Sequence, residues 1–143
     1  MNIKQVIQEI KTKAESHAQI KQFSLLTEQK ISNEFAFQYP LLICYPSTFT
    51  ITDDAEVMYF DLICLDRQMT DQSNMIDVYN DTAAILKDML SMLIKDSELG
   101  YGFSGNAQRI QDDAVDFVGG WLVSLQVEMA YEEDVCAIPT VPS

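Results

Sequence analysis

The stretch GYGFSG, residues 100–105, sets Gly100, Gly102 and Gly105 on the spacing G-x-G-x-x-G. Its reading decides between two fold classes. A dinucleotide-binding loop needs that spacing between a strand and the helix whose N-terminal amides hold the pyrophosphate, which would make the chain a parallel α/β protein. The neighbours here run in the opposite order. Upstream, Met75, Tyr79, Ala83, Leu86, Met89, Leu90 and Leu93 recur at helical intervals, with Asp77, Asn80, Asp81, Lys87, Asp88, Ser91 and Lys95 outside the stripe. The pattern predicts a helix over residues 74–96, about 35 Å long at 1.5 Å per residue. Ser73 is the expected N-cap, and acids early with lysines late suit the helix dipole. Downstream, NAQRIQDD and VGGWLVSLQVEMAYEE have strand character. In the second, Trp121, Val123, Leu125, Val127, Met129 and Tyr131 share one face, and Leu122, Ser124, Gln126, Glu128 and Ala130 share the other. Helix, loop, strand is the reverse of a dinucleotide site. GYGFSG therefore reads as a helix end and a hinge, with Gly100 near the position of an αL cap.

Working toward the N-terminus, EVMYFDLICLD (residues 56–66) is a strand whose continuous apolar character implies cover on both faces. FAFQYPLLICYP also suits a strand, with Pro40 at its start, on an edge or at a bulge. Pro46, Ser47 and Thr48 then predict a turn, and residues 49–52 extend pairing as far as a second turn at Asp53-Asp54. Residues 24–32 predict a short, partly exposed strand. Ile3, Val6, Ile7, Ile10, Ala14, His17 and Ile20 form one apolar face of a helix over residues 2–20. The order is α-β-β-β-α-β-β: an α+β domain with a mostly antiparallel sheet of about five strands and two main helices packed on it. One domain spans residues 1–131, and the Pro-rich residues 132–143 form an extended tail.

The chain has 143 residues, 48% of them hydrophobic and 22% charged, enough to bury a core without staples. No apolar run approaches the roughly 20 residues of a membrane-spanning helix. MNIKQVIQEIKTK lacks the continuous apolar core of a signal peptide, so a cytoplasmic site of synthesis is expected. The net charge of −13 argues against binding nucleic acid through a broad basic surface. That charge is uneven: residues 1–30 carry a net +2 and the remainder a net −15. Such polarity suits either solubility or head-to-tail stacking on copies and partners.

Little in the chain points to chemistry. Cys44, Cys64 and Cys136 are widely spaced and form no C-x-x-C pair, which argues against a disulfide framework or a zinc site. Cys44 and Cys64 are expected as buried thiols. His17 is the only histidine, expected solvated or half-buried on its helix. The acidic clusters Asp53-Asp54, Asp112-Asp113 with Asp116, and Glu132-Glu133-Asp134 lack the alternation of a calcium loop. There is no P-loop, H-E-x-x-H or G-x-S-x-G. No catalytic residue, metal ligand or cofactor is assigned.

Three stretches and the element order carry a resemblance. Tyr39-Pro40-Leu41-Leu42-Ile43 enters a strand, Val78-Tyr79-Asn80-Asp81-Thr82 lies on the long helix, and Gly119-Gly120-Trp121 opens the last strand. Together they resemble the tail-terminator and head–tail joining (neck ring) proteins of tailed bacteriophages, with a flavour similar to phages of Bacteroides-type hosts. The resemblance implies a non-enzymatic virion protein, made in the host cytoplasm, that closes into a six- or twelve-fold ring. Its neighbours would be portal, connector or tail-tube proteins, and DNA would pass through its centre without sequence-specific binding. It further implies that Lys4, Lys11 and Lys13 of the basic first helix meet an acidic neighbour. Tyr39 and Pro40 on an edge strand and Trp121 on the last strand would serve intersubunit sheet pairing, and Ile138 and Pro139 would reach across as a tail. Two other readings stay open: an acidic cytoplasmic adaptor or inhibitor, and a small-molecule-binding domain with a pocket between helix and sheet.

Overall fold

The computed structural model describes residues 3–25, 37–53, 55–69, 71–96, 100–112 and 118–130, with Pro139 and Val141. The elements are α1 (Ile3–Ser16), β1 (Gln22–Ser24), β2 (Leu41–Ile51), β3 (Ala55–Arg67), α2 (Met75–Asp96), β4 (Gly100–Asp112) and β5 (Val118–Ala130). They form the expected α+β fold in the expected order. The five-stranded sheet has the order β1-β2-β3-β5-β4, parallel only between β1 and β2.

Both helices pack on one face of the sheet. Val6, Ile10 and Ala14 of α1 and Ile85, Met89 and Leu93 of α2 meet Leu42 and Cys44 of β2, Phe60 and Leu62 of β3, and Leu125 and Val127 of β5. At one end of the opposite face a second cluster joins Phe37, Leu41, Ile43, Ile63, Leu65 and Val118, with Tyr39, Tyr45, Ile110 and Leu122 against it. β3 thus has four consecutive buried residues, Leu62 to Leu65, because it is covered on both sides as its composition implied. Cys44 and Cys64 are buried thiols, also as expected.

Several boundaries differ from the sequence reading, each for a local reason. α1 ends at Ser16 rather than near residue 20. The Ser16 hydroxyl donates to the Lys13 carbonyl (2.7 Å), and the Gln19 amide donates to Nδ1 of His17 (3.1 Å). These bonds give the backbone an alternative to another helical turn. A short strand forms at residues 22–24; of the stretch 24–32 expected as strand, residues 26–32 lie outside the described residues.

Pro46-Ser47-Thr48 does not turn the chain. Pro46 pairs with Phe60 and Thr48 with Tyr59, leaving Ser47 as the extra residue of a bulge, its hydroxyl on the Tyr59 carbonyl at 3.2 Å. The turn comes at Thr52–Ala55, where the Thr52 amide donates to the Ala55 carbonyl (2.9 Å) and the Ala55 amide to the Thr52 hydroxyl (3.1 Å). Pro40 directly precedes β2, after a cis Tyr39–Pro40 peptide bond.

α2 starts at Met75, so Asn74 rather than Ser73 holds the cap position. The Asn74 carboxamide ties the preceding loop together instead, accepting the Met69 amide (2.7 Å) and donating to the Arg67 carbonyl (3.2 Å). The buried stripe of α2 also includes Val78, Thr82 and Ile85, which the sequence pattern did not assign to it. Thr82 is tolerated there because its hydroxyl donates to the Val78 carbonyl at 2.7 Å.

GYGFSG is neither hinge nor helix end: it is the first half of β4. Gly100 pairs with Glu128 and Ser104 with Ser124, ahead of a register shift between Ser104 and Gln108. Pairing along β5 and the aromatic residues at 101 and 103 outweigh the glycines' preference for loops. At Gly102 a Cβ would stand 3.1 Å from the Gln126 side chain, so the glycine leaves that residue room.

Candidate interaction surface

Several of the described side chains able to do chemistry are engaged structurally. Nδ1 of His17 accepts the Gln19 amide, so Nε2 carries the proton and donates to Oδ2 of Asp88 at 2.9 Å. This half-buried imidazole ties the end of α1 to the middle of α2. Burial pushes the Cys44 thiol up to about 12, helped by the charge of Asp61, and pushes Cys64 up in the same way. The Asp66 carboxyl is raised by burial and by Asp81, against an opposing bond from the Arg67 amide. Among the described residues no three His, Cys, Asp or Glu side chains are placed to hold a metal ion. Among them, too, no helix is long and apolar enough to cross a membrane.

The more informative features lie at the sheet's two sides. β1 covers β2 only at Leu41, Leu42 and Ile43. From Pro46 to Ile51 the outer edge of β2 has no strand partner among the described residues, nor has the outer edge of β4 along its length. Unpaired edges are templates for further strands. β5 pairs on both sides, with β3 and β4, so it cannot serve intersubunit pairing as the sequence suggested.

Beyond the bulge, β2 leaves the shelter of the helices. Phe49 and Ile51 are 57% and 56% exposed, close to the partly exposed Ile3 that opens α1. Pro46, Phe49, Met58 and Ile3 border a shallow hollow of about 250 Å³. Asp53 and Glu56 give this end of the hairpin an acidic rim.

At the far side of the sheet, α2 and β4 flank a cleft of about 240 Å³. Its described lining is Ala83, Leu86, Leu90, Ala107, Trp121 and Val123, with Lys87 at the rim. Trp121 is anchored on the α2 side of that lining. Its Nε1 donates to the Tyr79 carbonyl at 2.9 Å, and its ring meets Tyr79 edge-on with centroids 5.7 Å apart. The Arg109 guanidinium lies over the Tyr79 ring at 5.7 Å, placing a second cation near the cleft.

The residues singled out from sequence do not form one site. Lys4 and Lys11 are exposed on α1, with Lys11 3.9 Å from Glu15, and Lys13 is half-buried there. Tyr39 and Pro40 lie at the start of β2, where the Arg67 guanidinium sits 5.3 Å from the Tyr39 ring. Trp121 is two strands away, beneath α2. Pro139 is exposed, and Ile138 lies outside the described residues. Sequence reasoning missed Phe49 and Ile51, because their alternation with threonines reads as an ordinary half-buried strand. It also missed Ala83, Leu90 and Ala107 as parts of one cleft; only the packing of α2 on β4 and β5 joins them. No protein-family model matches the chain, and no curated protein is similar to it.

Proposed function

We propose that this chain is a structural virion protein of a tailed phage, a tail terminator or head–tail connector, whose copies close into a ring around a passage for DNA. The observation that carries this reading is the sheet's pair of unlike sides, open among the described residues: β2 from Pro46 onward, with its hairpin, and β4 with the apolar cleft beside it. A contact between unlike surfaces of identical subunits repeats head to tail, and it closes into a ring when the rotation allows. The order α-β-β-β-α-β-β is the one the resemblance implies. The acidic bulk of the chain suits a passage that lets DNA slide rather than bind.

The small-molecule reading finds a cleft where it expects one, but not a matching lining. Small-molecule sites usually exceed about 300 Å³ and place several convergent polar groups, whereas this one is smaller and lined by Ala, Leu, Val and Trp with Lys87 as its one polar side chain among the described residues. The test is light scattering on the purified protein over a concentration series, with negative-stain images of the same samples. Closed six- or twelve-subunit rings with a central hole are expected. A monomer at every concentration, also when mixed with disrupted phage particles that lack the ring, would overturn the reading.

A further inference from the structure

We propose that the β2–β3 hairpin of one copy docks on a second copy's β4 edge, with Phe49 seated in the apolar cleft between α2 and β4. This rests on the self-assembling reading above and specifies its contact.

Four observations converge on it. The hairpin and the cleft lie at opposite sides of the sheet, β2 toward one and β4 at the other, as a head-to-tail contact requires. Strand polarity agrees. β2 is antiparallel to β3, β3 to β5, and β5 to β4, so β2 and β4 run in opposite directions. A second copy in the same orientation therefore brings its β2 antiparallel to this copy's β4. The faces agree as well. Phe49 pairs with Met58, which faces the helices, and the cleft opens on that same face. Charge completes the match: Asp53 and Glu56 flank the hairpin's apolar residues, while Lys87 and Arg109 flank the cleft.

The cleft suits an aromatic side chain better than a metabolite. It is apolar and of about 240 Å³, and the bulge between Ser104 and Gln108 holds Ala107, a small residue, at its margin. The register is specified too. Phe49 is level with Met58 and hence Val127, four residues along β5 from Val123 in the cleft. The second copy must therefore be staggered by four residues, about 14 Å at 3.4 Å per residue. That shift sets residues 46–51 of β2 opposite residues 103–109 of β4, across its bulge. A stagger between neighbouring strands is also what tilts a sheet as it closes round an axis.

The test uses full-length protein carrying Cys136→Ser, which leaves only the buried Cys44 and Cys64 as native thiols. Phe49→Cys and Ala107→Cys variants are prepared separately, mixed, and treated with a short bis-maleimide. The mixture is expected to give a cross-linked dimer at least tenfold above either variant alone. Phe49→Asp is expected to raise the concentration needed for assembly at least tenfold without lowering the thermal midpoint, because Phe49 is largely exposed within one copy. If rings form but the mixture shows no excess cross-link and Phe49→Asp assembles normally, the hairpin contact is wrong and the ring reading survives. A cross-link in a protein that forms no rings supports the contact and removes the ring. No cross-link and no assembly removes both.

Discussion

Gln68 offers a test of the packing that does not depend on function. It follows β3, is 6% exposed, and lies against Gly119, where a Cβ would strike its Nε2. Among the described residues neither its nitrogen nor its oxygen has a hydrogen-bond partner. A buried, unsatisfied polar group costs about 1–3 kcal/mol. Methionine keeps the unbranched length of the side chain and removes the amide, at a repacking cost below about 1.5 kcal/mol. Gln68→Met should therefore stabilise the fold by about 1–2 kcal/mol. For a chain of this size that raises the thermal midpoint by roughly 3–8 °C. Urea denaturation is the direct assay, with the midpoint rising and the slope unchanged. Gln68→Glu should move it the other way, since it buries a carboxylate without a partner. A loss of stability in Gln68→Met at unchanged slope would refute the reasoning: the amide would then have a polar partner, such as an ordered water.

Two further substitutions and reactivities follow from the same packing. A Cβ at Gly120 would collide with the Cys64 carbonyl oxygen, a backbone atom that cannot swing aside, so Gly120→Ala should cost about 3 kcal/mol or more. Gly102→Ala meets only the flexible Gln126 side chain and should cost less than about 1 kcal/mol in the same thermal melts. Cys44, with its thiol pushed up to about 12, and Cys64, raised in the same direction, should resist a thiol reagent in the folded protein and react on unfolding. At pH 8 only about one Cys44 in ten thousand would be thiolate. Because these pKa values are raised above the unfolded value of 9.0, their contribution to stability is complete below pH 9. It is lost as the pH climbs from 9 toward 12, which alkaline unfolding curves would reveal against a Cys44→Ala variant.

The fold was legible wherever one physical signal acted alone. The period of two in residues 121–127 and the helical stripe through Leu86, Met89, Leu90 and Leu93 each had one interpretation, and both elements formed as read. Misreadings came where a local signal competed with pairing. Glycines in GYGFSG favour loops, yet β5 provides a partner for each residue up to Ser104. Pro46 suggests a turn, yet at a bulge, on a strand open on its outer side, its missing N–H costs little. The candidate surface was less legible still. The lysines of α1 stood out by charge, but Phe49, Ala107 and Val123 acquire meaning only through strand order and register.

That strand order also bears on what would restrain indiscriminate strand pairing ahead of the proposed assembly. Phe49 and Ile51 sit on an open strand edge, which is the combination that promotes uncontrolled strand pairing. Three features oppose this. The bulge at Ser47 interrupts the edge, Asp53 and Glu56 place charge beside the apolar pair, and the net charge of −13 keeps copies apart. None of these blocks a partner that offers Lys87 and Arg109 beside an apolar cleft. Beyond the Debye length of about 8 Å at physiological salt the repulsion between copies is screened, while the local pairing of acids with Lys87 and Arg109 is retained at contact. In the proposed contact, the same residues that discourage indiscriminate association would select for one orientation, hairpin to cleft, so that copies would add in only one direction.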